Sequence, residues 1–477
     1  MNKPIWQWSA CDIALAVKNG DISCLEVTNA VIERMHSTNE SVNAVVVDQS
    51  EEAILRAKEQ DKHRKTTPIQ SLGPLFGVPL TIKDNLDQQG YANANGIPAF
   101  NQKKVTGNAP VTDNLLKAGA NIIGRTNAPE FSIRWQTDNP LYGLTLNPWN
   151  ENITCGGSSG GAAVATLMGY GPIAHGNDIG GSLRCPSYCC GTTTIRPSLG
   201  RIPAYNSSSP EERPFVSQML SVQGAIAREV KDVRLATIAM SQRDSRDPFW
   251  QPVPFQGAPS HRPIKVAFTR KSYGLDIHPQ VLEAVDTAAA ALQNAGYQVE
   301  EVELPEVLAT NELWRNLLFT DFNVFSSANI MQYGSETIQK IMEGYYSISK
   351  ILNQEEFANA LSERHRILRQ WRIFQEEYPL VLTPLMLQPA FPVGEDAISQ
   401  KRTAETLMSY LYMSNVNLLG LPAATISTHL YQGVPIGVQI IGQAFREDMC
   451  LDASQVIENA QGIMAHKFWD LQKANFQ

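Results

Sequence analysis

Apolar residues recur at helical spacing over residues 12–18 and 24–35, and a more polar helix is expected over 51–62. Asp21 and Ser23 stand between the first two as candidate caps. The period then shortens. The runs FGVPLTI at 76–82 and ANIIG at 120–124 are apolar and of strand length. Strand-like runs return at 264–269 and 299–304, with an amphipathic helix at 279–295 between them. Residues 306–377 are helical almost throughout, and 381–383, 423–427 and 437–441 are strand-like again. Short apolar strands alternating with helices predict an α/β protein with a covered sheet. No repeat and no long linker divides the chain. A single domain over 1–477 is therefore expected, with the helical block at 306–377 capping the sheet and shaping a pocket.

Residues 155–191 break this pattern by their density of glycine, with Gly156, Gly157, Gly160 and Gly161 early and Gly180 and Gly181 late. Glycine at this density marks backbone that takes unusual angles or approaches a ligand. A flexible linker is excluded, because 162–167 reads as an apolar helix and 173–175 as a strand.

Composition narrows the class. The chain is 43% hydrophobic and 18% charged, which suits a large globule and argues against disorder. The formal net charge is −8 and basic residues form no long runs, so no nucleic-acid partner is expected. No apolar run reaches the roughly 18 residues of a membrane span, and the N-terminal stretch lacks an apolar leader. The cytoplasm is the expected compartment. The odd cysteine count does not suit a disulfide framework. Cys185, Cys189 and Cys190 lie close together, but their spacing is wrong for zinc and no histidine lies among them. They read as buried thiols. No metal and no cofactor is expected.

Three segments carry chemistry: FGVPLTIKDN around Lys83, CGGSSGG around Ser158 and Ser159, and HGNDIGGSLRCPS around Ser182. A serine nucleophile needs a base to take its proton. None of the eight histidines sits in an evident catalytic setting, and His175, the nearest, falls in a probable strand. Lysine is the alternative base, provided that burial brings its pKa well below the ordinary value of about 10.4. Lys83 follows an apolar run at what would be the end of a strand. A surface lysine ending a strand is the simpler reading of that position taken alone.

These segments, with LLKAGANIIGRTNAPEFS, YGLTLNPWN, LTP at 382–384, NLLGLPAATIS and GVPIGVQIIGQAFRED, are similar in content and order to the amidase signature family. The resemblance spans roughly residues 12–470. It implies a large mixed β-sheet covered on both faces by helices, and a Ser–cisSer–Lys triad. Carried over by position, the nucleophile is Ser182, the bridging cis-serine is Ser158, and the base is Lys83. Ser159 would support the loop. The backbone N–H groups of Ile179, Gly180, Gly181 and Ser182 would form the oxyanion hole. Asp178 and Arg184 would brace that loop as an ion pair. The implied reaction is hydrolysis of an amide through an acyl-enzyme on a small-molecule substrate, with a homodimer as the one protein association allowed for.

Departures mark what is individual. Asn177 stands where the family usually has Thr, and an HGND block also occurs in relatives resembling 6-aminohexanoate cyclic-dimer hydrolase. Arg134 and Trp135 stand where small residues are common. Trp135 is a candidate wall of the acyl pocket and Arg134 a candidate contact for a polar substrate group. Aromatic and aliphatic residues over 314–325 point to an apolar pocket, hence an aryl or alkyl amide.

Two other enzyme readings compete. Residues 157–161 satisfy G-x-S-x-G with Ser159 at the centre, as in an α/β-hydrolase. The preceding NPWNENITC is polar where a buried strand is required, and only His429 or His466 could complete a triad. The glutamine-hydrolysing, A-type component of an amidotransferase shares the signature, but its YDGVRYG-like block is not found, and 314–334 is more apolar.

Overall fold

A computed structural model describes residues 3–209, 211–259 and 263–474. One mixed sheet runs through them. Its strands in chain order are β1 (Val45–Asp48), β2 (Pro79–Lys83), β3 (Asn121–Thr126), β4 (Ile173–Asp178), β5 (Thr193–Arg196) and β6 (Val222–Ala227). Then follow β7 (Lys265–Phe268), β8 (Gln298–Glu301), β9 (Leu380–Pro384), β10 (Ala423–Tyr431) and β11 (Val434–Gly442). Their spatial order is β1-β3-β2-β4-β6-β5-β10-β11-β9-β7-β8. β2 runs parallel to both β3 and β4, whereas β4, β6, β5, β10, β11 and β9 pair antiparallel in succession.

Successive strand residues face opposite sides of a sheet. Every residue of β2, β3, β6, β9 and β11 is buried, so helices cover both faces. The two edge strands are the wet ones, with exposed ends on β1 and β8. The helical block expected at 306–377 is four helices, Val307–Phe325, Ser327–Tyr333, Glu336–Ser347 and Gln354–Glu377.

Several local expectations need adjustment. Ser23 caps Cys24–Thr38 with a reciprocal capping box to Glu26, but Asp21 caps nothing. The preceding helix Ala10–Asn19 is ended by Gly20 in the left-handed conformation, which glycine adopts without cost. The run at 76–82 is a strand only from Pro79. Gly77 has a φ of +76°, and the Val78 N–H closes a turn onto Leu75 C=O. The strand then continues through Lys83, so Lys83 is part of the ladder and not the residue after it.

This arrangement gathers the chemistry at one edge. β2 and β4 are parallel neighbours, with Leu80 opposite Ile173 and Thr81 opposite Ala174. Lys83 and Asp178 therefore both lie at carboxyl ends of adjacent parallel strands, the usual place for an α/β ligand crevice. The helix Gly160–Met168 starts immediately after the Ser158–Ser159 loop and packs on β2, β4 and β6. Its close approach depends on Gly161. A Cβ there would stand 2.5 Å from Asn127 N, 2.7 Å from Asn127 O and 2.8 Å from Ala44 O. These are backbone atoms and cannot swing aside. Gly161→Ala is expected to cost about 1–3 kcal/mol by overpacking, seen as a lower thermal unfolding midpoint, with loss of activity as the serine loop shifts.

Candidate active site

Lys83 is wholly buried. Its Nζ donates to Ser158 Oγ at 2.7 Å and to Asn177 Oδ1 at 2.8 Å. Both acceptors are neutral. Burial pushes the Lys83 pKa well below its usual value, and the opposing pull of Asp178 does not restore it. Asn177 is fixed in turn by Asn85, whose Oδ1 accepts from Asn177 Nδ2 at 2.9 Å. The residue that departs from the family pattern is thus a direct partner of the lysine. Nothing in the sequence beyond that departure pointed to the contact. The Gly157–Ser158 peptide is cis.

Ser182 lies four residues beyond β4, on a loop anchored by Asp178. The Asp178 carboxylate accepts from Arg184 Nε and Nη2, both at 3.0 Å, and from Asn417 Nδ2 at 2.8 Å. Arg196 Nε stands 4.0 Å away. Burial alone would raise the Asp178 pKa, but the Arg184 guanidinium and its companions overcome it and hold the carboxyl well below the usual range. The same carboxylate accepts the N–H of Gly181 at 2.8 Å and of Leu183 at 3.2 Å. Gly181 was expected to aim its N–H at an oxyanion, but the geometry commits that N–H to Asp178. Ser159 joins the two serine loops, its N–H donating to Ser182 C=O at 3.1 Å and its hydroxyl to Asn177 C=O at 3.4 Å.

Beside Ser182 is a narrow cleft open to solvent, with a cavity volume of about 20 Å³. Trp135, Trp314, Phe319, Phe322 and Tyr345 give it aromatic walls, and Ile179, Gly180 and Ser182 line it from the loop side. Four of its lining residues, Trp314, Leu318, Phe319 and Phe322, come from the segment read as apolar. Tyr345, from the helix Glu336–Ser347, lies in the block expected to shape a pocket but was not distinguishable within it from sequence. Arg134 does not line the cavity. Its guanidinium makes a bidentate pair with buried Asp396, at 3.0 and 2.7 Å, which commits it to the protein and not to a substrate.

The amidase family model matches residues 26–451. The chain belongs to the amidase family. An indoleacetamide hydrolase from Bradyrhizobium diazoefficiens is 45% identical over 98% of this chain and 89% of its own length. The A-type component of a glutamyl-tRNA(Gln) amidotransferase from Moorella thermoacetica is 29% identical over 96% of this chain and 97% of its own. Among solved structures, a bacterial aryl acylamidase of the amidase signature enzymes has the same fold, with a TM-score of 0.84 at 24% identity, covering 98% of this chain and 99% of that one. The protein is an amide-hydrolysing enzyme.

Other groups in the amidase fall into structural settings. His175 is buried in β4 and bonded to Gln223 at 2.8 Å, and burial pushes its pKa down to about 3. His429 bonds Thr428 and Gln280, and His466 packs on Trp469. Ser159, the centre of the α/β-hydrolase reading, follows a loop and not a buried strand. Cys185, Cys189 and Cys190 are buried free thiols, and among the described residues no group of histidine, cysteine and acidic side chains could hold a metal.

Asp178 offers a direct test. Asp178→Asn keeps the volume but removes the carboxylate that buried Arg184 pairs with and that buried Arg196 faces at 4.0 Å. Breaking a buried pair in this way costs about 3–5 kcal/mol. Urea denaturation should show a loss of that order, or the variant should fail to accumulate in folded form.

Proposed function

We propose that this amidase hydrolyses a small arylacetamide, of which indole-3-acetamide is the reference, through an acyl-enzyme on Ser182. The observation that carries the reading is a buried lysine amine without a carboxylate partner, bonded to Ser158, next to an aromatic cavity that Ser182 lines. The 45% relative named for indoleacetamide supports the choice of ring. All side chains lining the cavity are uncharged, which suits a flat neutral ring better than zwitterionic glutamine.

In this mechanism neutral Lys83 accepts the proton of Ser158 along the 2.7 Å contact, while Ser158 takes the proton of Ser182. The Ser182 oxygen bonds to the carbonyl carbon. The charge developing on the carbonyl oxygen is met by backbone N–H groups of Ile179, Gly180 and Ser182, Gly181 being engaged elsewhere. The C–N bond then breaks as Ser158 passes a proton to the leaving nitrogen, which departs as ammonia. Water attacks the acyl-enzyme by the same relay, releasing the carboxylic acid and restoring Ser182. Arg134 and Asp396 hold the loop that carries Trp135. All seven cysteines are free thiols, which suits the cytoplasm, where this reading places the enzyme.

Purified enzyme should release ammonia from indole-3-acetamide and phenylacetamide far faster than from glutamine. A fluorophosphonate should label Ser182, and Ser182→Ala should be inactive yet folded. An adduct on Ser159 instead would overturn the assignment.

The pH profile tests the base. Lys83 works only as the free amine, so kcat/KM should fall as pH drops through its lowered pKa and level off above it. That limb should lie well to the acid side of an ordinary lysine and should vanish, with most amide turnover, in Lys83→Ala. A limb unchanged in Lys83→Ala would place the base elsewhere.

A further inference from the structure

The loop from Ile179 to Ser182 lies beyond the last ladder residue of β4, so its carbonyls have no strand to pair with. Two indole N–H groups supply partners. Trp314 Nε1–H donates to Ile179 C=O at 3.2 Å, and Trp135 Nε1–H donates to Gly180 C=O at 3.0 Å. The rings come from separate parts of the chain, Trp314 from the helix Val307–Phe325 and Trp135 from the segment after Ser132. Both are almost fully buried. Trp135 is wedged against Tyr410 and Tyr345, with ring centroids 4.4 and 5.7 Å apart, and Trp314 against Phe319 at 6.0 Å. They also touch the loop itself. A Cβ on Gly180 would lie 2.8 Å from Trp314 Cζ2 and 3.6 Å from Trp135 Cζ2.

A trans peptide is planar, and its C=O and N–H point to opposite edges. Holding a carbonyl therefore aims the N–H of the next residue. The Gly180–Gly181 peptide is fixed at both edges, by Trp135 on its oxygen and by Asp178 on its N–H. The Ile179–Gly180 peptide is fixed at its oxygen by Trp314, which sets the Gly180 N–H on the opposite edge. Glycine makes this control necessary, because it leaves the planes free to rotate.

We infer that Trp314 and Trp135 are positioning residues in addition to walling the substrate cavity: the Trp314 indole N–H aims the Gly180 N–H of the oxyanion cradle, and the Trp135 indole N–H, together with Asp178, locks the peptide plane that follows. The inference rests on the proposed role of Ser182. It assigns two functions to each ring that separate experimentally. The ring surface binds substrate, in both ground and transition state. The N–H acts only through the loop, and so is felt where charge develops on the carbonyl oxygen.

The test uses the full-length enzyme with indole-3-acetamide as substrate. Trp135→Phe and Trp314→Phe each remove the donor and shorten the ring. Replacing the same tryptophans by 3-benzothienylalanine keeps the bicycle and exchanges N–H for sulfur. The expected result is a fall in kcat of about tenfold or more for the Trp314 benzothienylalanine enzyme, which loses control of an oxyanion donor, and a smaller fall for the Trp135 enzyme, whose peptide plane Asp178 still holds. KM and the affinity for indole-3-acetate should move by less than about threefold. Affinity for an arylmethyl boronic acid, whose Ser182 adduct is tetrahedral, should fall in step with kcat. The inference is overturned if kcat in the Trp314 benzothienylalanine enzyme stays within about twofold of the native enzyme, or if the loss lies in KM and product affinity. The Phe variants are judged by the same split where they fold, and the isosteric pair decides where they do not. A failure of the Ser182 reading is separate, because it would appear as turnover surviving in Ser182→Ala with both tryptophans intact.

Discussion

An amine sealed inside a sheet, with no acid to pair with, is the constraint on which the rest of this structure depends. Lys83 contributes an ionisable group to a strand whose every position is buried. Burial favours its neutral form, but only if the nearest carboxylate is kept occupied. Asp178, at the end of the neighbouring strand, is that carboxylate, and it pulls the lysine pKa upward. Arg184, Arg196, Asn417 and two backbone N–H groups absorb its charge. Lys83 is left with a hydroxyl and an amide oxygen. The division of charge between two adjacent strands thus favours a neutral amine on one and an anion on the other. The arginine network acts as an electrostatic shield as much as a brace.

The same anchoring shapes the loop. Asp178 takes the Gly181 N–H, so an amide counted from sequence among four equivalent donors is set apart from the other three. The two tryptophans hold the opposite side of the chain at Ile179 and Gly180. A loop rich in glycine is thereby held at successive peptide planes by the adjacent Asp178 and by two tryptophans from distant segments.

How much of this could be read from the chain depended on whether the signal was local. Lys83, Ser158 and Ser182 stand in compact motifs, and Lys83 ends a strand that the apolar run before it makes visible. β5 and β6 escaped notice because TTIR and VQGAIA are short, mixed in polarity and flanked by glycine-rich or polar turns. The helix Arg184–Cys190 was hidden by Pro186 and three cysteines, although proline is tolerated in a first turn. Arg134 shows the limit most clearly. Its partner Asp396 lies 262 residues away, and no spacing rule connects them. Trp135 was legible as an oddity and as a wall, but its bond to Gly180 depends on tertiary placement. Asn177 was likewise visible as a departure, while its contact with Lys83 required the register of β2 against β4.

The buried amine has a thermodynamic consequence for the whole molecule. In the unfolded chain Lys83 carries a proton up to about pH 10.4, whereas in the folded enzyme burial keeps the free amine down to a lower pH. Folding is therefore an acid-releasing reaction, and the native state is one proton lighter at this site. Between the lowered folded pKa and the unfolded one, this linkage adds about 1.4 kcal/mol of stability for each unit of rising pH. As pH falls the unfolded chain gains at this site until the folded Lys83 is itself protonated, below which the site changes stability no further. Folding free energy is thus surrendered on the alkaline side of the folded pKa, whereas the proposed mechanism loses its base on the acid side.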